Sequence, residues 1–146
     1  MAITIRPLQA SDKPDWQYLW HDYLKFYDSA VTEDIYDITF ERLLSPQRAN
    51  QSAFLALIEN RAVGLVHYIY HPHNWKRENV CYLQDLYAVP ECRGQGIGRA
   101  LIEAVYEAAD ANGTPAVYWL TQDFNQTARQ LYDRVATLTP FIKYTR

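Results

Sequence analysis

The spacing of apolar positions along the chain changes several times, and each change marks an element. Residues 3–8 alternate and predict a short strand. Over residues 12–28 the spacing lengthens to three and four, placing Trp16, Leu19, Trp20, Tyr23, Leu24 and Tyr27 on one helical face. Residues 33–44 predict a second, shorter helix, ended by Ser45-Pro46 because the residue before a proline is steered out of helical geometry. Two apolar runs, 52–59 and 62–70, flank Asn60-Arg61 and predict a hairpin. A polar loop over 71–78 leads to a third run, 80–89, which Pro90 stops. Ile97, Leu101, Val105 and Ala108/Ala109 then mark a helix that Asn112-Gly113 terminates. Residues 115–121 predict a strand, and Asn125 caps a helix carrying Ala128, Leu131, Tyr132 and Val135 on one face. Residues 141–144 predict a last strand. The order β-α-α-β-β-β-α-β-α-β describes one α/β domain over residues 1–146, a sheet covered by helices.

Composition narrows the class. With 49% hydrophobic and 21% charged residues the chain can build a core, and it fits neither the disordered nor the membrane class. Cys81 and Cys92 are too few for a disulfide scaffold and lack metal-type spacing, which points to a reducing, cytoplasmic setting. The opening MAITIRPLQA reads as a strand and not as a signal core, and no apolar run approaches the length of a membrane span. The net charge of −3 argues against nucleic acid as a partner. That charge is uneven: residues 11–41 hold eight acids against two lysines, a local −6. Such a segment is either a solvated helix face or a wall that attracts a cationic substrate.

Glycine use is more telling. About ten glycines are expected at this length; there are five, and Gly94, Gly96 and Gly98 fall within five residues. A glycine-rich turn between a strand and a helix forms an anion site, because the unpaired N–H groups at the helix start carry partial positive charge. Arg93 and Arg99 bracket the turn and suit phosphate oxygens. No lysine follows the glycines as a P-loop requires, and Arg99 stands where the dinucleotide fingerprint needs its last glycine.

The run Arg93-Gly94-Gln95-Gly96-Ile97-Gly98-Arg99, directly after residues 82–89, resembles the [RQ]xxGx[GA] signature of the GNAT superfamily of acetyl-CoA-dependent N-acetyltransferases. Residues 125–132 resemble its second hallmark, NxxAxxLY. Within the superfamily, residues 82–87 and 113–119 look most like the small Hpa-type enzymes, the histone/polyamine and D-amino-acid acetyltransferases, and less like the diamine acetyltransferases. The resemblance implies a mixed sheet of about six to seven strands with helices on both faces. It implies acetyl-CoA as co-substrate, no metal, a small-molecule or peptide amine as acceptor, and a homodimer.

Residue by residue, the resemblance places the pyrophosphate on Arg93, Gly94, Gln95, Gly96, Ile97, Gly98 and Arg99, and the pantetheine arm along Leu86, Tyr87 and Ala88. It adds Asn125 and Ala128 to the cofactor contacts and makes Tyr132 the general acid for the leaving thiolate. Asn125 and Tyr132, seven residues apart, share a helix face. Where relatives carry Glu-Asp, this chain has Gln84-Asp85. Gln84 cannot accept a proton, so Asp85 is the candidate base and Gln84 a polar substrate contact. Alternation predicts opposite sheet faces for the two. Tyr27 and Trp119 are expected to contact the acceptor, either as core aromatics or as a rim that draws an amine by cation–π attraction. His71 and His73 lack partners that would complete a metal site. Two other readings stand beside the enzyme: a non-catalytic CoA- or acyl-CoA-binding regulatory module, which retention of Tyr132 disfavours, and a nucleotide-binding regulator.

Overall fold

A computed structural model describes residues 2–146. Five strands, β1 (Thr4–Pro7), β2 (Gln51–Ile58), β3 (Arg61–His71), β4 (Val80–Ala88) and β5 (Val117–Tyr118), form one sheet in sequence order. The first four pair antiparallel and β5 joins β4 in parallel. A parallel neighbour requires a long crossover, supplied by α3 (Ile97–Ala111); α1 (Lys13–Phe26) and α2 (Glu33–Leu44) precede β2, and α4 (Gln126–Val135) follows β5. The turn of the β2–β3 hairpin is Glu59-Asn60, one residue earlier than the sequence predicts. Both residues have positive φ, 50° and 66°, which matches the strand twist in a two-residue hairpin.

The helices occupy both faces. Trp16 of α1 packs its ring 5.9 Å from His67 on one face of β3. On the other, a Cβ added to Gly64 would lie 2.8 Å from the Tyr87 carbonyl and 2.9 Å from Ile97 Cγ2. The hydrogen side chain of Gly64 therefore lets the first turn of α3 settle directly onto the sheet. Between these layers Trp16, Leu55, Leu65, Ile97, Leu101, Ile102 and Val105 are fully buried. The start of α1 is anchored to β1 by two parallel bonds from the Arg6 guanidinium to Asp12, at 2.7 and 2.9 Å, and Asp12 also accepts the Gln9 N–H at 2.7 Å. These donors hold the Asp12 carboxyl below its ordinary range, Arg6 contributing most.

The strand count falls short of the expected six to seven. The predicted strand over 115–121 contracts to Val117–Tyr118, and the predicted strand over 141–144 pairs with nothing. The first difference follows from β5 diverging from β4 after Tyr82↔Tyr118, where the ladder stops and the sheet opens. Beyond α4 the chain runs without secondary structure, and Phe141, Ile142 and Tyr144 are more than three-quarters exposed. No helix among the described residues is long and apolar enough to cross a membrane.

Candidate functional site

The glycine loop takes a backbone path closed to most other residues. Gly94 and Gly96 sit at φ of 81° and 85°, and Gly96 is the residue that caps α3. An added Cβ at either would meet nothing within 4 Å. Conformation and the space kept for a ligand, not crowding by protein, set the need for glycine there. The first intrahelical bond runs from the Ala100 N–H to the Gly96 carbonyl at 3.0 Å, leaving the amides of Ile97, Gly98 and Arg99 without intrahelical partners. An anionic oxygen placed at these amides meets both hydrogen-bond donors and the positive end of the helix dipole. Arg99 pairs with Glu103 at 2.8 Å on the surface, whereas Arg93 lies over the Phe26 and Tyr87 rings and donates Nε–H to the Ala88 carbonyl at 3.1 Å.

Beside the loop the edge of β4 is open. Val89 gives its N–H to Val63 on β3, so by alternation Leu86 and Ala88 direct theirs to the free edge. A cleft of about 640 Å³ runs from this edge to α4. Leu86, Tyr87, Ala88, Arg93, Gly94, Gly96, Ile97, Gly98, Arg99, Asn125 and Ala128 all line it, and of the cofactor residues expected from the sequence only Gln95 does not. Tyr27 and Tyr132 line the same cleft. Asn125 begins α4 but does not cap it through its side chain. Its amide donates to Thr121 Oγ1 at 3.3 Å, and it lines the cleft together with Tyr27. Burial pushes the Tyr132 phenol up to about 12.

Gln84 and Asp85 do not follow simple alternation. The β3–β4 register passes from His67↔Asp85 to Tyr68↔Leu83, leaving Gln84 without a partner in a β-bulge. Its consequence is visible on either side. Cys81 gives its N–H to Ala116 on the β5 side and Val89 gives its N–H to the β3 side, although eight residues apart they would point the same way in an unbroken strand. The opposite-face expectation for Gln84 and Asp85 therefore fails, because the extra residue resets the pleat between them. Gln84 is exposed, and Asp85 faces α1 with a side chain 12% exposed.

Around Asp85 the structure gathers residues that the sequence reading left in the core. The carboxylate Oδ2 lies 2.8 Å from His67 Nδ1 and 3.3 Å from Trp20 Nε1, while Trp16 Nε1 donates to His67 Nε2 at 2.9 Å. Burial first, and then the charge of the nearby Asp85 carboxylate, push the Tyr23 phenol upward. Tyr23 packs its ring 5.1 Å from Tyr27 and lines the cleft together with Tyr132, so it stands between the Asp85 cluster and the cleft. His67 had no signal in the sequence, since a lone histidine in an apolar run reads as core. Tyr23 had one, its place on the aromatic face of α1. Trp119 lies elsewhere, 5.4 Å from the Tyr132 ring in a groove of about 880 Å³ bounded by β5, α4 and the chain beyond it.

Comparison with known proteins gives concordant findings. A profile described as Acetyltransferase (GNAT) family matches residues 14–136. The D-amino-acid N-acetyltransferase HPA3 of Saccharomyces cerevisiae is 37% identical over 145 residues, covering 99% of this chain and 90% of the relative. A thialysine N-epsilon-acetyltransferase of Bos taurus is 40% identical over 70 residues, covering 48% of this chain and 41% of the relative. Among solved structures, AAC(6')-Iy in complex with the bisubstrate analog CoA-S-monomethyl-acetylneamine superposes with a TM-score of 0.87 at 18% identity, covering 100% and 98% of the two chains, which speaks to the fold.

Proposed function

Because the chain belongs to the acetyltransferase (GNAT) family, we propose that it transfers acetyl from acetyl-CoA directly to a primary amine on a small acceptor. The observation that carries this reading is the coexistence, in one cleft, of the left-handed glycine loop at the start of α3 and the buried phenol of Tyr132. The loop amides and Arg93 receive the pyrophosphate, and the free edge at Leu86 and Ala88 pairs the pantetheine arm. Acetyl-CoA supplies a thioester carbon for the amine nitrogen to attack and a sulfur that leaves as the C–S bond breaks. A backbone N–H on the open edge polarises the thioester oxygen.

Tyr132 gives its proton to the departing sulfur. An ordinary phenol and thiol differ by about 1.5 in pKa, and burial pushes the Tyr132 phenol up to about 12. A thiolate released in a desolvated cleft is raised by the same physics, so donor and acceptor stay matched. The incoming amine is an ammonium at neutral pH, and Asp85 takes its proton, directly or through water. Tyr132 recovers a proton from solvent, so the net products are amide, thiol and one proton. Gln84, Tyr27 and Trp119 contact the acceptor, with Gln84 beside Asp85 at the bulge.

The chain also pairs with a second copy of itself. The groove between β5 and α4 and the exposed Leu138, Phe141, Ile142 and Tyr144 leave an apolar surface that one copy does not cover. Sedimentation should give a dimer at micromolar concentration, and a monomer there overturns this part.

The test of the chemistry is a steady-state assay with acetyl-CoA and a panel of polyamines, amino acids and basic peptides. Tyr132→Phe should lower kcat about 10²–10³-fold while leaving CoA affinity within about threefold. Background turnover with every amine, together with tight CoA binding, would favour the non-catalytic module.

A further inference from the structure

Trp16, His67 and Asp85 come from α1, β3 and β4, and their hydrogen-bond chemistry permits one arrangement of protons. An indole N–H only donates. Trp16 Nε1 lies 2.9 Å from His67 Nε2, so that nitrogen accepts and carries no proton. The ring proton is then on Nδ1, which donates to Asp85 Oδ2 at 2.8 Å. The contact between His67 and Asp85 has the spacing of an ion pair, but it joins a neutral imidazole to a carboxylate. An imidazolium would set two N–H groups against each other at Trp16. Trp20, on the next turn of α1, gives a second donor to the same Asp85 oxygen at 3.3 Å. Asp85 is therefore oriented by three aromatic rings while keeping its whole negative charge.

We propose that Trp16 and His67 are positioning residues that hold Asp85 as an uncompensated carboxylate behind Tyr23 of the cleft wall, so that the acceptor is bound as its ammonium form. The inference rests on the acetyltransferase reading for the identity of the amine, and on the protein's own geometry for the rest. Trp16, His67 and Trp20 are 0%, 4% and 8% exposed, and no buried side-chain nitrogen or oxygen among the described residues lacks a partner. Apolar residues of similar volume would fill this layer with less desolvation. What the polar rings add is a charge with a defined direction directly behind Tyr23, which lines the cleft. The bulge at Gln84 sits beside it and turns this part of β4 toward α1. Tyr23, beside Asp85 and lining the same cleft as Tyr132, stands between the carboxylate and the phenol that serves the leaving group.

Two measurements test the proposal. Imidazole ¹⁵N NMR of the full chain should show His67 with its proton on Nδ1, and Trp16→Phe should turn this into a tautomer mixture. A proton on Nε2, or an imidazolium at neutral pH, overturns the proposal. In kinetics with acetyl-CoA and L-lysine, D-alanine or spermidine, His67→Leu should raise the amine KM about 10–100-fold, the range expected for losing a hydrogen bond to a charged group. The KM for acetyl-CoA should stay within about twofold. His67→Asn, which presents an N–H close to the Nδ1 position, should return the amine KM to within about threefold of wild type. Should His67→Leu fail to fold, Trp16→Phe keeps the test open, with about a threefold rise in the amine KM alone. Equal changes in both KM values, or Asn behaving as Leu does, overturn the positioning role. A wild-type chain that acetylates none of the amines refutes the acetyltransferase reading instead, and the tautomer measurement still decides the network.

Discussion

The two halves of the candidate site are built on different principles. The cofactor side is a stretch of backbone: Gly94 and Gly96 in left-handed conformation, free amides at the start of α3, and the open edge of β4. Most of its chemistry belongs to groups that every residue carries. The acceptor side is an assembly of side chains from positions 16, 20, 23, 67 and 85, which meet only because α1 crosses β3 and β4. One half therefore depends on which residues permit a backbone path. The other depends on the identity and protonation of particular rings and one carboxylate.

Substitutions should separate the halves. The largest effect is expected from Gly96→Asp, which forces a side chain into φ of 85° and sets a negative charge at the anion site. Calorimetry should show CoA affinity reduced by about 10³-fold or more. Nothing lies within 4 Å of an added Cβ, so only the left-handed strain lowers stability, by about 1–3 kcal/mol. Unchanged affinity would remove the pyrophosphate assignment. Next is Asp85→Asn, expected to lower kcat/KM for the amine about 10²-fold while CoA binding holds; weakened CoA binding would mean that the halves are not separable.

Gly64→Ala probes the seam between them. Its methyl would press on the Tyr87 carbonyl and Ile97 at 2.8 and 2.9 Å, which should cost about 1–3 kcal/mol of stability. The displaced start of α3 should also weaken CoA by about tenfold, and unaltered stability would show that α3 shifts freely. The smallest change expected is in the pH profile. Burial raises Tyr132 from an ordinary 10 to about 12, so the phenol keeps its proton above pH 10 and kcat should show no alkaline fall until that higher range. A decline centred near 10 would contradict the acid assignment. The same shift predicts Tyr132's contribution to stability: full below pH 10, then lost as pH rises toward 12, because the unfolded phenol ionises first.

Legibility followed the same division. The loop from Arg93 to Arg99 was readable because left-handed glycines and a helix start are local features. Asn125 and Tyr132 were readable by their spacing along α4, although the Asn125 side chain bonds Thr121 and does not cap the helix. The facing of Gln84 relative to Asp85 was not legible, because a period of two assumes an unbroken ladder and a bulge leaves no mark in residue type. The apolar residues at 141–144 follow a strand-like pattern but pair with no strand. His67 was invisible, and Tyr23 passed for an ordinary member of an apolar stripe.

By itself the sequence determined the element order up to β5, the glycine loop between a strand and a helix, and the family to which the chain belongs. These follow from local backbone preference and from motifs contained in a few consecutive residues. Only the tertiary structure decided that Trp16, His67 and Asp85 form a directed chain of hydrogen bonds, that Gly64 seats α3, and that β4 opens where it does. Those outcomes depend on distances between elements far apart in the chain, and on proton positions that exist only once an indole N–H is packed against an imidazole nitrogen.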